Sequence, residues 1–350
     1  MVRRVAFAVP GDLATPTGGY AYDRRMIAEL KCLGWQIGVV NLGDGFPRPS
    51  DERRKTTLAR LLAIPAGCRV VIDGLALGVL PDEAVQVSKM HPLIALVHHP
   101  LALESGLSKI QADEMRASER AALAAVRCVI VTSPTTARLL SADYNVPSDR
   151  IVVALPGNDP ASMTQGSKDG IVRLLSVGSI VRRKGFDVLI AALATLADLR
   201  WHLTIAGDRD RNPEAAAQLD ADIGRFNLVE RVAVVGAVSD DRLAELYAGT
   251  DVFVLASRYE GYGMAFSEAI AHGLPVIGTT AGAIPDTVPA GAGLLVPPDD
   301  PLSMAAALYR IMTNHDERLR MAECARAAAQ ALPTWQESAK LFSSALEAVT

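Results

Sequence analysis

Residues 257–280 read SRYEGYGMAFSEAIAHGLPVIGTT and hold the densest set of structural signals in the chain. The apolar run DVFVLA at residues 251–256 comes just before them and predicts a buried strand. Helical periodicity then extends over residues 264–272. Gly273 is placed to end that helix, and Pro275 prevents its continuation. A strand, a glycine-rich turn, a helix and another strand in this order predict a parallel α/β sheet.

Two carboxylates flank the Gly-Tyr-Gly turn of this stretch. Glu260 is predicted to lie on the loop at the carboxyl end of a strand, and Glu268 lies inside the following helix. Open α/β sheets bind ligands at that edge. Glycines there let backbone N–H groups approach an anion or a hydroxyl-rich ligand. Either glutamate could be a solvated surface charge, but the turn between them favours a ligand site.

The composition is that of an ordinary globular protein. The chain has 350 residues, of which 50% are hydrophobic and 21% charged, and this length predicts about two domains. A net charge of −4 gives no general reason to expect nucleic acid as a partner, but it allows a local basic patch. The four cysteines are widely spread without metal-type spacing, so we expect reduced, buried cysteines and no metal site.

No apolar run approaches the 18 residues that a membrane-spanning helix needs. The apolar run near the N-terminus is also too short for the core of a signal peptide. We therefore expect a cytoplasmic protein, and association with the inner face of the membrane stays open.

Short β-rich runs alternate with helical patterns along the chain, which predicts right-handed βαβ units and parallel sheets covered on both faces. The predicted strands are residues 5–9, 36–42, 70–73, 93–98, 129–132 and 151–155, followed by 172–177, 202–206, 232–235, 252–255, 276–277 and 294–296. Residues 156–170 are polar and rich in glycine and proline, which is typical of a linker. The expected fold class is α/β, with two doubly wound domains, residues 1–158 and 170–333, facing each other across a cleft.

Two features mark the carboxyl edge of the first predicted sheet. Gly18 and Gly19 open a helix directly after a strand, which suits close approach of a ligand or simply a tight turn. They do not form GxGxxG, so no dinucleotide fingerprint is predicted. His98, in LVHHP, ends a strand where it could donate to a substrate hydroxyl or stabilise developing positive charge. A lone histidine is usually structural. Of the pair we favour His98 over His99.

A basic turn opens the second predicted domain. Arg182, Arg183 and Lys184 follow the strand that ends at Gly178 and precede a helix. Cations beside a helix N-terminus can bind a diphosphate, although solvated loop charge is the common alternative. Because the turn lies on the same sheet edge as Glu260, we favour phosphate binding.

With these motifs in place, the chain resembles the retaining glycosyltransferases of family 4, which have the GT-B architecture of two Rossmann-like domains. The segment EGYGMAFSE matches the family's pair of glutamates, and residues 178–185 and 279–286 also fit. The resemblance covers nearly the whole chain and implies that the last helix, residues 335–350, packs back on the first domain. Two positions depart from the family pattern. Ser179 stands where an arginine is frequent, and the later loop reads AGAIPD where Gly-Gly-Glu is usual.

The resemblance also implies roles for the matched positions. Glu268 would accept hydrogen bonds from the nucleotide ribose, and Glu260 would face the donor sugar. Lys184 would neutralise the diphosphate, with Arg183 or Arg182 as the second cation. His98 would lie beside the reacting centre, which makes His98, Lys184 and Glu260 the implied catalytic residues. The implied donor site comprises Gly18, Gly19, Ser179, Arg183, Lys184, Glu260, Gly261, Tyr262, Gly263, Met264, Ala265 and Glu268.

The reaction implied by the resemblance is transfer of a hexose, with retention, from a UDP- or GDP-linked sugar to a hydroxyl group. The acceptor would be a glycan, a lipid-linked molecule or a small molecule, in glycan, polysaccharide or glycolipid synthesis. The nucleotide sugar is a substrate, no cofactor is required, and the cations at residues 183–184 would replace a metal ion. The alternative is a catalytically inactive GT-B subunit that binds nucleotide sugars, because Ser179 departs from the pattern. A nicotinamide-dependent oxidoreductase is disfavoured, because GxGxxG is absent.

Overall fold

Each of two units of the chain is built around its own parallel β-sheet and hydrophobic core. The structure, a computed structural model, describes residues 3–167 and 169–349. The first unit comprises the described residues up to Gly157 together with those from Pro333 onward, and the second unit is Asn158–Leu332. The two cores share no buried residue among those described, so each unit buries apolar surface of its own.

The first unit contains six parallel strands and seven α-helices among its described residues. The strands are β1 (Arg4–Val9), β2 (Gln36–Asn41), β3 (Arg69–Asp73), β4 (Leu93–Val97), β5 (Cys128–Val131) and β6 (Ile151–Val153). The helices are α1 (Gly18–Cys32), α2 (Asp51–Leu62), α3 (Gly74–Leu77), α4 (Pro81–Ser88), α5 (Lys109–Ala124), α6 (Pro134–Asp143) and, after the second unit, α14 (Trp335–Ala348). The strand order is β2-β1-β3-β4-β5-β6. Successive strands of the chain are therefore added first on one side of β1 and, from β3 onward, on its other side, and this point between β1 and β3 is where the strand order reverses.

The second unit repeats this plan with a different strand order. Its strands are β7 (Val172–Val177), β8 (Trp201–Ala206), β9 (Val232–Gly236), β10 (Val252–Val254), β11 (Val276–Thr279) and β12 (Gly293–Val296). Its helices are α7 (Phe186–Ala194), α8 (Pro213–Arg225), α9 (Asp240–Ala248), α10 (Met264–Ala271), α11 (Ile284–Thr287), α12 (Pro301–Thr313) and α13 (His315–Ala329). The strand order is β12-β11-β10-β7-β8-β9, so successive strands are added on one side of β7 up to β9 and on its other side from β10 onward. The strand order thus reverses between β7 and β10.

Local sequence explains where many of the helices begin. Thr17, Ser108 and Ser133 are N-caps whose hydroxyl oxygens accept the amides of the first turns of α1, α5 and α6. The start of α5 is strengthened by a capping box, in which the side-chain oxygen of Gln111 accepts a hydrogen bond from the backbone amide of the cap residue Ser108. Such a cap contributes about 1 kcal/mol to the stability of a helix.

Helix α14 packs on the sheet and the first helix of the first unit. The ring of Phe342 stacks on that of Phe7 with centroids 5.7 Å apart, and the indole of Trp35 donates to the Ser343 hydroxyl at 2.9 Å. At Gly157, a Cβ atom would lie 2.2 Å from the backbone nitrogen of Trp335. The chain therefore leaves and re-enters this unit at one tight point, which only glycine permits.

The structure confirms the expected α/β class, with two six-stranded parallel sheets flanked by helices. Part of the segment predicted as a linker packs on the second unit, because the Thr164 hydroxyl donates to the carbonyl of Thr250 at 2.6 Å and Asp251 accepts the amide of Ser167. Among the described residues, no helix has both the length and the apolar character needed to cross a membrane.

The expectation of buried cysteines is wrong for two of the four. Cys68 and Cys128 are buried, whereas Cys32 and Cys324 are exposed. Cys32 is the last residue of α1 and Cys324 lies on α13, and in both cases the side chain is on the solvent face of the helix. Spacing along the chain does not reveal the face of a helix on which a single small residue lies.

Candidate active site

Polar side chains gather where the strand order of each sheet reverses. In the second unit, Arg183 and Lys184 follow β7, and Ser257 and Glu260 follow β10. In the first unit, Asp23 lies on the helix after β1, Asp73 is the last residue of β3, and His98 follows β4. The carboxyl ends of parallel strands at such a reversal form the crevice in which α/β sheets bind ligands. We call the two sets the basic cluster and the acidic cluster.

The basic cluster is centred on the carboxylate of Glu260. Lys184 Nζ donates to Glu260 Oε1 at 2.6 Å, Arg183 Nη1 donates to Oε2 at 3.3 Å, and the Ser257 hydroxyl donates to Oε1 at 2.6 Å. The side chain of Glu260 is 8% exposed and that of Lys184 14%. Burial alone would raise the pKa of Glu260, but Lys184 and then Arg183 outweigh it and lower the pKa to about 2. Glu260 is therefore ionised throughout the physiological range.

Close backbone packing brings the basic turn to Glu260. Gly185 has a φ of 66°, and a Cβ atom there would lie 2.0 Å from the carbonyl oxygen of Ala256, so only glycine fits. Arg183 Nη1 also donates to the carbonyl of Tyr259 at 2.6 Å, and the amide of Arg258 donates to the carbonyl of Arg183 at 2.8 Å. The loops after β7 and β10 thus hold each other in place.

Of Arg182 and Arg183, the two candidates for the second cation, Arg183 is the one whose side chain contacts Glu260. The Arg183 side chain is half-buried beside Glu260, whereas Arg182 is exposed. The carbonyl of Arg182 instead accepts from Arg258 Nη1 at 2.6 Å. Arg258 also pairs with Asp187 at 2.8 Å and with Asp299 at 2.6 Å, so it fixes the outer side of the turn.

Glu268, on α10, is half-buried and has a tyrosine as its partner. Tyr247 donates its hydroxyl to Glu268 Oε2 at 3.0 Å, and its ring stacks on His272 with centroids 4.8 Å apart. Burial raises the pKa of Glu268 to about 7, although the bond from Tyr247 opposes this. The Glu268 carboxyl can therefore change its protonation state near neutral pH.

The turn before α10 offers backbone rather than side chains. The ring of Tyr262 is buried. The backbone carbonyl of Tyr262 accepts a hydrogen bond from the Thr287 hydroxyl at 2.5 Å. Gly263 is the N-cap of α10, so the amides of Met264 and Ala265 are first-turn donors without an intrahelical acceptor. Amides at this position suit an anion or a sugar hydroxyl. With Gly261, these residues form the carboxyl edge beside Glu260.

The acidic cluster of the first unit is centred on the ring of His98. Its Nε2 lies 3.2 Å from Asp23 Oδ1 and 3.7 Å from Asp73 Oδ2, while the side chain keeps 20% of its surface exposed. Asp23 is fully buried and Asp73 nearly so. Gly19 packs against the ring, because a Cβ atom there would lie 3.2 Å from His98 Cδ2. The ring of His99, by contrast, lies beside Glu104, with its Nε2 3.4 Å from Glu104 Oε2.

The charges in the acidic cluster depend on each other. Burial would lower the pKa of His98, but Asp23 and then Asp73 outweigh it, so the pKa is raised. Burial, followed by the charge of Asp23, raises the pKa of Asp73 to about 7. The three ligand atoms lie within 4.8 Å of one another, a spacing that could also hold a metal ion. The observed Nε2–Oδ1 distance is that of a hydrogen bond, and the absence of a metal requirement stays a prediction.

Gly18 and Ser179 are predicted for the donor site but contribute no side-chain hydrogen bond to either cluster among the described residues. Gly18 is the first residue of α1, and Ser179 has no side-chain hydrogen bond in the part of the chain that the structure describes. Asp23 and Asp73 of the acidic cluster, Ser257 of the basic cluster and Tyr247, the partner of Glu268, were not identified as site residues from the sequence. Asp73 ends a buried strand and caps α3, and Asp23 lies one helical turn after Gly19. These positions are the signals that could have identified the two aspartates.

The chain is similar to several known proteins. The sequence model of the family described as "Glycosyl transferases group 1" matches residues 172–314. A mannosylfructose-phosphate synthase from Agrobacterium fabrum is 32% identical over 45% of this chain, but the match spans only 38% of that protein. A lipopolysaccharide core biosynthesis mannosyltransferase from Rhizobium meliloti is 28% identical over 92% of this chain and 90% of its own length.

The fold has close relatives among solved structures. Sucrose-phosphate synthase from Thermosynechococcus elongatus superimposes with a TM-score of 0.83 over 99% of both chains, at 22% identity. At that identity the likeness concerns the fold, which is GT-B. The match of residues 172–314 to the model of the group 1 glycosyltransferases agrees with the GT-B fold of the chain.

Proposed function

We propose that the protein is a retaining hexosyltransferase that moves a sugar from a UDP- or GDP-linked donor to an acceptor hydroxyl. The observation that carries the proposal is the basic cluster, where Lys184 and Arg183 surround one ionised carboxylate, Glu260. Two cations against one anion leave positive charge for a diphosphate. The acceptor class is a glycan, a lipid-linked molecule or a small molecule, in glycan, polysaccharide or glycolipid synthesis.

The donor diphosphate would bind to Lys184, Arg183 and the first amides of α10. The Lys184 ammonium has three N–H groups, of which one donates to Glu260. Each well-placed donor to a leaving group contributes about 2.7–4 kcal/mol to stabilisation of the transition state. These cations would supply the charge that a metal ion supplies in other transferases.

Glu268 would hold the nucleotide through the ribose hydroxyls. A carboxylate is a strong acceptor for two neighbouring hydroxyls, and the contact with Tyr247 fixes the direction of the Glu268 side chain. Glu260, already bonded to three donors, would present its outer edge to the sugar. His98 is the catalytic contribution that we propose for the first unit.

In the proposed reaction the bond between the anomeric carbon and the diphosphate oxygen breaks as the acceptor oxygen bonds to the same face of that carbon. The acceptor's proton passes to the departing phosphate oxygen. The protein positions the groups and stabilises the leaving charge. The anomeric configuration is therefore retained without a covalent sugar–enzyme intermediate.

The test begins with nucleotide recognition. Thermal unfolding is measured with UDP, GDP, ADP and TDP and with their common sugars, in the presence and absence of magnesium. Ligand at a hundredfold excess over its dissociation constant stabilises the native state by about 2.7 kcal/mol. A shift with UDP or GDP that does not need magnesium supports the donor site. No shift with any of the nucleotides would overturn it.

The second step follows the sugar. The donor that binds is incubated with candidate acceptors, and the anomeric proton coupling of the product is read by NMR. Retention supports the proposal and inversion overturns the mechanism. Binding without transfer or hydrolysis with any acceptor class favours the alternative, an inactive subunit that binds nucleotide sugars.

A further inference from the structure

The acidic cluster contains a carboxylate that folding alone does not explain. Asp23 is fully buried on α1, and its Oδ2 has no hydrogen-bond partner within the described part of the chain. Its Oδ1 bonds to His98 Nε2 at 3.2 Å. Burying a carboxylate costs several kcal/mol unless its partners compensate, and well-packed apolar residues often replace such groups at no loss of stability. A buried carboxylate that lowers the stability of the fold in this way is expected at a functional site.

The local geometry directs both Gly19 and Asp23 at one ring. The two residues are one helical turn apart on α1 and share a face of the helix. Gly19 gives the imidazole room, and Asp23 binds its Nε2. Tyr22 closes the third side, since its ring meets that of His98 edge-on with centroids 5.4 Å apart.

The backbone of His98 is held independently of its ring. The Thr132 hydroxyl donates to the His98 carbonyl at 3.3 Å, and β4 delivers the residue to the sheet edge. Asp73 already has another partner, because its Oδ1 accepts a hydrogen bond from the Leu75 amide at 2.7 Å and so caps α3. Asp73 Oδ2 is also farther from Nε2 than Asp23 is. Asp23 is thus the only hydrogen-bond acceptor for the ring among the described residues.

We propose that Asp23 is a positioning residue that fixes the orientation of His98 and keeps its ring doubly protonated, so that Nδ1–H donates to an oxygen atom of the substrate. The inference rests on the proposed function in one respect, namely that His98 contacts the sugar donor. Nδ1 has no partner within the described residues, and the ring is partly exposed. The ionisable groups that face the ring are Asp23, Asp73 and Tyr22, and burial keeps Tyr22 neutral by raising its pKa well above 10.0.

The test compares the wild type with Asp23→Asn, which keeps the shape of the side chain and removes its charge. The protein has six histidines, and His98→Gln assigns the His98 signals in ¹⁵N-detected spectra. In the wild type both ring nitrogens should stay protonated to a higher pH than in a free imidazole. In Asp23→Asn the midpoint of the His98 titration should fall by at least one pH unit.

Kinetics supply a readout that a merely structural residue would not move. Asp23→Asn should lower kcat at least tenfold at neutral pH, leave KM for the donor within threefold, and recover turnover as the pH falls and the ring protonates without its partner. The melting temperature should be unchanged or higher. Asp222→Asn, at a buried aspartate that pairs with Arg225 in the second unit, is the matched control and should leave His98 unaltered.

Gly19→Ala provides an independent variant, should Asp23→Asn fail to fold. The added methyl group displaces the ring from Asp23, so the His98 titration should shift in the same direction. An unchanged His98 titration in both variants overturns the inference, and so does a His98 signal that changes when EDTA strips a bound metal ion. If the wild type transfers no sugar, the function fails while the NMR comparison still decides the role of Asp23.

Discussion

The two units place opposite chemistry at equivalent positions of their sheets. The basic cluster surrounds one carboxylate, Glu260, with two cations, whereas the acidic cluster sets two carboxyls around one imidazole. The consequence for protonation is also opposite, since the pKa of Glu260 falls to about 2 and that of Asp73 rises to about 7. Burial is similar in the two places. The difference teaches that the partner charges, rather than burial, decide what a carboxyl at the sheet edge can do.

The largest expected effect concerns the basic cluster. Lys184→Ala should lower kcat by about 100- to 1,000-fold (~2.7–4 kcal/mol), because it removes a donor to the leaving diphosphate. KM for the donor should change much less. The measurement is steady-state transfer with a saturating acceptor.

Arg242→Ala removes an exposed cation of the same unit and should leave kcat unaltered. A melting temperature close to that of the wild type is required for the interpretation, because Glu260 keeps Arg183 as a partner. If kcat changed less than fivefold in folded Lys184→Ala, the result would contradict the proposal that the basic cluster stabilises the leaving diphosphate.

A second prediction uses stability to compare buried carboxyls of the two units. Glu119 on α5 is 1% exposed and accepts the Leu101 amide at 3.0 Å, and burial raises its pKa to about 8. The folded state therefore holds a proton that the unfolded state releases between pH 4.5 and 8. Stability falls as pH rises through this window, by at most about 1.4 kcal/mol per pH unit. Glu119→Gln should flatten this fall in thermal unfolding.

Glu260 should behave in the opposite sense. Its pKa is lowered in the folded state, so its contribution is present above pH 4.5 and is lost as pH falls towards 2. Glu260→Gln should therefore destabilise the protein at neutral pH, whereas Glu119→Gln should not. Glu114→Gln, an exposed change on the same helix as Glu119, is the control. Equal pH profiles for the two buried variants would contradict the comparison.

A smaller effect is expected at Glu268. Glu268→Gln should weaken nucleotide binding by about 1.5 kcal/mol, roughly tenfold, because a charged acceptor for the ribose hydroxyls becomes neutral. In the wild type, affinity should rise as the pH increases through about 7 and level off above it, because the carboxyl is then ionised. Isothermal titration calorimetry across this range gives both quantities.

The glutamine variant also serves as the control for titration of the nucleotide itself. Any pH dependence that remains in Glu268→Gln belongs to the phosphate, whose second pKa is about 6. If the pH dependence were identical in the two proteins, Glu268 would not contact the ribose.

The smallest effect is expected at Arg258. Its pairs with Asp187 and Asp299 are partly exposed, and such pairs contribute about 0.2–1 kcal/mol. Arg258→Ala should lower the melting temperature slightly and change kcat less than tenfold. A loss as large as that of Lys184→Ala would show that the outer side of the basic turn matters as much as its inner side.

The sequence predicts the second unit's site better than the first unit's. Lys184 and Glu260 each lie in a compact motif directly after a strand, so their common sheet edge follows from the α/β alternation. Asp23, Asp73 and His98 come from three segments, and their meeting depends on β1, β3 and β4 being adjacent. Hydrophobic periodicity identifies strands but does not order them in a sheet.

Gly19 shows the same limit at a single residue. Its position after β1 suits close approach of a ligand or a tight turn, and the structure shows a side chain of the same unit packed against it. The group that occupies the space is the ring of His98, a side chain 79 positions away. A glycine indicates that something approaches its Cα atom, but the sequence does not say what.

Helix α14 has a consequence for how the protein is made. The second unit is one continuous segment. The first unit, in contrast, needs α14, whose first residue is synthesised long after Gly157. At typical translation rates this delay of roughly 180 residues lasts on the order of 10–35 s. During that time Phe7 lacks its partner Phe342, and Trp35 lacks the hydroxyl of Ser343. Of the two units, the one that emerges first from the ribosome is therefore completed last, and the nascent chain must be kept from aggregating until α14 has emerged.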